Sequence, residues 1–177
     1  MRTNIVFTLT GTDRIGLVND ITELLLGLDG NVETSRMARL GGEFAVLMLV
    51  SMPAEQLPRV QEQFQRLTAE GYKITLTETQ PGPAQKPAVW QPYRIEVVGA
   101  DHEGIIHEIA HHLSRRGINI ESMDTGTRPA PVSGTPLFTM RALVAVPPSL
   151  DGTDWQSALE EVGQRLNVEV EVEQGTE

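Results

Sequence analysis

The stretch Gly11-Thr12-Asp13-Arg14-Ile15-Gly16 returns 88 positions later as Gly99-Ala100-Asp101-His102-Glu103-Gly104. The same shift lays Asn31-Val32-Glu33 over Asn119-Ile120-Glu121, and between these motifs Ile21 and Leu25 meet identical residues at Ile109 and Leu113. An ordered, gap-free correspondence of this kind marks an internal repeat, and a repeat sets the unit in which the fold must be read. A six-residue insertion in the second copy then restores register, so that Phe44 meets Phe138 and Pro53 meets Pro147.

Outward from the motif, each copy shows the same order of periodicities. Ile5, Phe7 and Leu9 alternate with polar residues as in a half-buried strand, and the motif leads into a helical stripe of Leu17, Val18, Ile21 and Leu25 that ends at Asp29-Gly30, where the glycine is expected in the left-handed conformation of a C-terminal cap. Val32 to Leu40 and Glu43 to Ser51 follow as strands joined by the tight pair Gly41-Gly42. Leu57, Val60, Phe64 and Leu67 then fall at helical spacing, and Lys73 to Thr79 forms a last strand. In the second copy the strands are Arg94 to Val98, Asn119 to Thr127 and Leu137 to Val146, with a helix from Glu103 to Arg116. The hairpin turn is replaced by the longer Arg128-to-Gly134 loop. A helix bearing Trp155, Leu159, Val162 and Leu166 precedes a strand in which Val168, Val170 and Val172 alternate with Glu169, Glu171 and Glu173, so one face of that strand should be wet and acidic.

Each copy therefore reads βαββαβ, which predicts an α+β chain of two ferredoxin-like domains, each a four-stranded antiparallel sheet with two helices on one face. Prolines crowd the stretch from Gln80 to Pro92 and favour an extended path. The expected division is domain 1 over 1–80, a proline-rich linker over 81–91 and domain 2 over 92–177.

Composition narrows the function. The 177 residues carry 14 Lys+Arg against 24 Asp+Glu, a formal net charge of −10, which disfavours direct nucleic-acid binding because such binding rests on basic neutralisation of phosphates. Eight acidic residues and one Arg lie between Asp151 and the C-terminus, concentrating the acidity in the second copy. With no cysteine there is no disulfide, thiolate nucleophile or Cys-based metal site. No apolar run approaches a membrane span, and the first ten residues alternate like a strand, so a mature, soluble, cytoplasmic protein is expected.

The repeated motif sits where a strand ends and a helix begins, the place where unpaired first-turn N–H groups and the positive end of the helix dipole can receive a small anion. Gly16 and Gly104 would let a carboxylate approach the backbone, and Asn31 and Asn119 offer both donor and acceptor to a zwitterion. The same residues fit a purely structural role, with Asp13 and Asp101 as helix caps, the glycines relieving the turn and the asparagines in left-handed turns. The two roles are compatible, since a capped loop keeps donors to spare.

The βαββαβ order, the Gly-x-Asp-x-x-Gly entrance with its following apolar pair, and the helix-ending glycine with Asn close behind resemble the ACT-domain family, and the resemblance covers essentially the whole chain as a tandem pair. It implies units that associate side by side and small effectors, usually amino acids, bound at interfaces near the entrance loop. Carried over, it marks Asp13, Arg14, Ile15, Gly16 and Asn31 in the first copy and Asp101, His102, Glu103, Gly104 and Asn119 in the second as ligand-binding positions. Arg14 and Glu103 differ in type from their counterparts His102 and Ile15, so the two sites would differ in charge. The resemblance further implies a non-catalytic regulator, of amino-acid or one-carbon metabolism, that binds a small amino acid, glycine among the candidates, and acts on a protein partner. It implies a homo-oligomer and no cofactor. A ligand-free assembly module, or a separate regulatory subunit of a metabolic enzyme, is the alternative.

One competing motif is His107-Glu108-Ile109-Ala110-His111, which matches the H-E-x-x-H zinc pattern. At 100° per residue Ile106, Ile109, Ala110 and Leu113 cluster on one arc, while His107 and His111 point away from it, and the first copy has Asn19 and Glu23 there. A catalytic zinc also needs a third ligand, and His102 and His112 are poorly placed to supply one. The pair is therefore expected on a solvated helix face.

Overall fold

A computed structural model describes residues 1–79, 90–130 and 134–175. Two compact units divide the chain, residues 1–84 and 85–177. The first contains β1 (Arg2–Thr12), α1 (Leu17–Leu26), β2 (Asn31–Leu40), β3 (Glu43–Pro53), α2 (Leu57–Ala69) and β4 (Lys73–Thr79). The second repeats the series as β5 (Gln91–Ala100), α3 (Ile105–Arg115), β6 (Asn119–Pro129), β7 (Pro136–Val146), α4 (Trp155–Arg165) and β8 (Val168–Gln174). A single 3₁₀ turn precedes α2 and another precedes α4. Residues 80–89, which hold most of the expected linker, and 131–133 in the insertion loop lie outside the described residues.

Both sheets are four-stranded and antiparallel, ordered β2-β3-β1-β4 and β6-β7-β5-β8. This is the α+β, ferredoxin-like arrangement that the repeat predicts. The two first strands of each copy run parallel to one another on either side of the third, so the helix joining them is a crossover and the two helices of a unit run antiparallel. An equivalent bulge interrupts each edge pairing, between Val32 and Thr34 and between Ile120 and Ser122, and the repeated Glu33 and Glu121 occupy it.

Each unit has its own core. In the first, Ile5, Phe7 and Leu9 of β1 and Val46, Met48 and Val50 of β3 lie beneath Leu17, Ile21 and Leu25 of α1 and Val60, Phe64 and Leu67 of α2. The Phe7 and Phe64 rings meet at 4.8 Å between centroids. In the second, Ile95, Val97, Met140, Ala142 and Val144 lie beneath Ile105, Ile109, Leu113, Trp155, Leu159 and Val162. Tyr93 meets Trp155 edge-on at 5.2 Å.

Two sequence expectations are corrected at this level. Val18 and Ile106, assigned by spacing to the buried stripes, are 37% and 42% exposed, because the buried rows run through the first helical residue of each copy, Leu17 and Ile105. Asp29, rather than Gly30, takes the left-handed conformation at the end of α1 (φ 53°). Gly30 is required there because a side chain would come within 2.8 Å of the Leu25 carbonyl oxygen. The last strand carries its acidic face as expected, with Glu169, Glu171 and Glu173 exposed.

Candidate functional site

The two entrance loops are built alike. β1 ends at Thr12 and the Asp13 N–H donates to the Gly42 carbonyl (3.0 Å), while the Asp101 N–H donates to the Pro136 carbonyl (3.2 Å). Each loop is thus pinned to the far end of the neighbouring hairpin. The glycine that opens the motif is demanded by packing across the sheet. A Cβ on Gly11 would meet the Tyr72 ring at 2.5 Å, and one on Gly99 would meet Val168 at 2.6 Å. The Tyr72 hydroxyl then reaches over to donate to the Thr12 carbonyl (2.9 Å).

The closing glycine is demanded by backbone conformation. Gly16 and Gly104 are the N-caps of α1 and α3, with φ of 86° and 94°. A side chain on Gly104 would meet nothing within 4 Å, so the constraint is the left-handed turn itself and not room for an incoming group. This corrects the reading of Asp13 and Asp101 as caps. Neither helix has a side-chain cap, and the Asp13 carboxylate pairs instead with Arg39 at 3.1 Å. First-turn N–H groups left uncapped by any side chain, at the positive end of a helix dipole, can receive an anion.

Arg14 and His102, which occupy the same place in the two copies and differ in type, perform the same mechanical task. The Arg14 guanidinium donates to Asp20 (2.6 Å) in the first turn of α1 and to Glu70 (3.3 Å), the residue that closes α2, while lying 5.9 Å from the Tyr72 ring centroid. Its hydrogen bond to Asp20 holds that carboxyl below its ordinary range and raises the guanidinium in turn. His102 contacts the carbonyl of Leu166, which closes α4, through Nε2 at 2.7 Å, and the carbonyl of Glu103 through Nδ1 at 3.0 Å. Two carbonyl acceptors require both ring nitrogens to donate, so the geometry favours imidazolium; the Leu166 bond, then the Glu103 bond, raise the His102 pKa. In both units the entrance loop is clamped to the C-terminal end of the second helix. Ile15 and Glu103, between clamp and glycine, are exposed.

The asparagines lie elsewhere. Asn31 pairs with Ser51, itself opposite Asn4, whereas the entrance loop follows Thr12, opposite Glu43. Eight strand steps separate those levels, roughly 26 Å at about 3.3 Å per residue. Asn119, level with Ala145 and Pro92, is likewise at the far end from Asp101. Asn31 donates to Glu33 within its own strand (3.0 Å). Asp13, Arg14, Ile15 and Gly16 are therefore brought together, as are Asp101, His102, Glu103 and Gly104, but each group is kept apart from the asparagine of its own unit.

The H-E-x-x-H pair lies on the exposed side of α3, where the His107 and His111 rings stack at 5.9 Å. Among the described residues no three His, Cys, Asp or Glu side chains gather as a metal set. Sequence reasoning missed Tyr72, Asp20, Glu70 and Leu166, which hold the loops. Only the acidic residue shared at Asp20 and Glu108 hinted at them, since the others meet the loop through tertiary contacts.

Comparison with known proteins bears on the fold and family. Residues 3–74 match the model of the ACT domain. The chain is 26% identical over 171 residues to the glycine cleavage system transcriptional repressor of Escherichia coli (strain K12), covering 93% of this chain and 86% of the relative. A solved structure of an unknown protein from Galdieria sulphuraria is 32% identical, with a TM-score of 0.86 over 99% of this chain and all of the other. A second solved structure, provisionally named a glycine cleavage system transcriptional repressor, shares the fold at 21% identity and a TM-score of 0.70, over 100% of this chain and 99% of the other.

Proposed function

From the match of residues 3–74 to the ACT domain and the repeat of that fold in the second unit, we propose that the chain is a tandem ACT-domain protein, a non-catalytic regulator that binds a small amino acid and controls a protein partner. The observation that carries the proposal is the duplicated, clamped helix entrance whose first turn no side chain caps, in a chain similar along almost its whole length to a transcriptional repressor of the glycine cleavage system. A carboxylate would sit against the N–H groups beside Gly16 or Gly104. Since each asparagine lies roughly 26 Å from its own loop at about 3.3 Å per residue, a ligand using both would be shared between two copies of the chain. Glycine is one candidate effector, and control of transcription in amino-acid or one-carbon metabolism is the corresponding role.

The mechanism is linkage. A ligand shared by two copies of the chain stabilises the assembly in which it touches both, and a partner that recognises that assembly responds. A coupling of about 1–3 kcal/mol shifts partner affinity several-fold to a hundred-fold. Calorimetry and thermal-shift measurements with glycine and the other amino acids test this: a saturable response to at least one supports it, and none with any amino acid overturns it.

A ligand-free assembly module is the second reading, favoured by the nearly uninterrupted exposure of the edge strand β2, with Val32, Met37 and Leu40 among its exposed residues. Its mark would be an oligomeric state, measured by sedimentation, that is indifferent to every amino acid.

A further inference from the structure

The strongest unassigned feature lies between the two helices of the second unit. A cavity of about 560 Å³ is lined by Glu108, His111, His112, Arg115, Arg116 and Arg165. Residues 85–177 carry twice as many Asp+Glu as Lys+Arg, so three arginines on one cavity are a local reversal of the charge around them. The fold accounts for the convergence. Helical side chains lean toward their own N-terminus, and α3 and α4 run antiparallel, so arginines near the two C-terminal ends lean toward a common middle. The repeat does not require it: the first copy has Glu23, Leu24, Gly27 and Leu28 where the second has His111, His112, Arg115 and Arg116.

We propose that this cavity is a phosphate-binding site, made for a phosphate group as free phosphate or as the monoester of a small molecule. Three guanidiniums against the single carboxylate of Glu108 leave two positive charges when both imidazoles are neutral, which matches a phosphate dianion. The planar guanidinium fork suits paired phosphate oxygens better than an ammonium would. His112, in the same lining, holds an unused donor. Arg116 Nη1 donates to its Nδ1 at 3.2 Å, and because arginine cannot accept, the ring hydrogen sits on Nε2. That Nε2 is buried without a hydrogen-bond partner among the described residues. Burial, and then the charges of Arg116, Arg165 and His111, push the His112 pKa down, as an uncompensated positive site requires.

The test is an NMR titration of the full chain with inorganic phosphate and with glycerol 3-phosphate, against sodium chloride at matched ionic strength. The expected result is a saturable shift of the His112, Arg115, Arg116 and Arg165 signals, with Kd on the order of 1 mM or tighter. Tighter binding of glycerol 3-phosphate identifies an organic monoester as the ligand class, and equal binding identifies phosphate itself. Arg115→Gln with Arg165→Gln, both at exposed positions, should weaken binding at least about tenfold while leaving Tm near that of the parent. No saturable shift, equal shifts with chloride, or full binding by the double variant overturns the proposal.

Discussion

At Gly104 a single dihedral angle separates sequence from structure. The residue holds φ at 94° with open space where a side chain would be, so substitution acts through the backbone alone. Gly104→Ala should destabilise the second unit by about 1–2 kcal/mol, and Gly104→Asn should recover part of the loss because asparagine tolerates left-handed geometry better. Urea midpoints of the two variants check this. Two histidines of the same unit should titrate on opposite sides of their ordinary 6.5, His102 above it and His112 below it, in an NMR pH series. The signs of their stability contributions differ accordingly. The His102 contribution is full below 6.5 and is lost as pH rises through its raised folded value. For His112, stability declines as pH falls from 6.5 through its lowered folded value, since the unfolded chain takes up that proton first. His102→Gln should abolish the first effect and leave the second.

At the scale of elements, the clamp between entrance loop and second helix is the recurring device, made by an ion pair in one copy and a histidine–carbonyl contact in the other. Asp20, held low by Arg14, contributes stability that is present above its ordinary 3.8 and lost as pH falls through its depressed folded value. Acid denaturation of Arg14→Gln should therefore show a shallower loss for the first unit below 3.8 than the parent does, read by circular dichroism. Strand and helix order, the position of the hairpin at Gly41-Gly42 and the burial alternation of β8 were readable from periodicity, because each follows from residues close in sequence. The clamp was not, because Arg14 and Glu70 are 56 positions apart and meet only after the sheet has set their levels. The misplacement of Val18 and Ile106 has a different cause. A helical stripe read from the sequence has a width of more than one residue, and only the packed sheet decides which of two adjacent apolar residues lies beneath it.

At the scale of the molecule, the repeat announces two units of one fold, and the structure adds that their charged features differ. The candidate amino-acid loops are common to both copies, whereas the arginine-lined cavity belongs to the second alone. The family resemblance marks Asp13 to Gly16 and Asn31 together as ligand positions, and the strand register puts them at opposite ends of a sheet. That separation makes the account specific: an effector that uses both is one held between copies of the chain. The most direct measurement is a backbone and side-chain amide NMR titration of the full chain with the amino acid that gives the strongest thermal shift. The account predicts that the amides of one entrance loop, residues 13–16 or 101–104, and the side-chain NH2 of Asn31 or Asn119 shift together with a single Kd. Loop signals that move while both asparagines stay still, or asparagine signals that move without either loop, would contradict it.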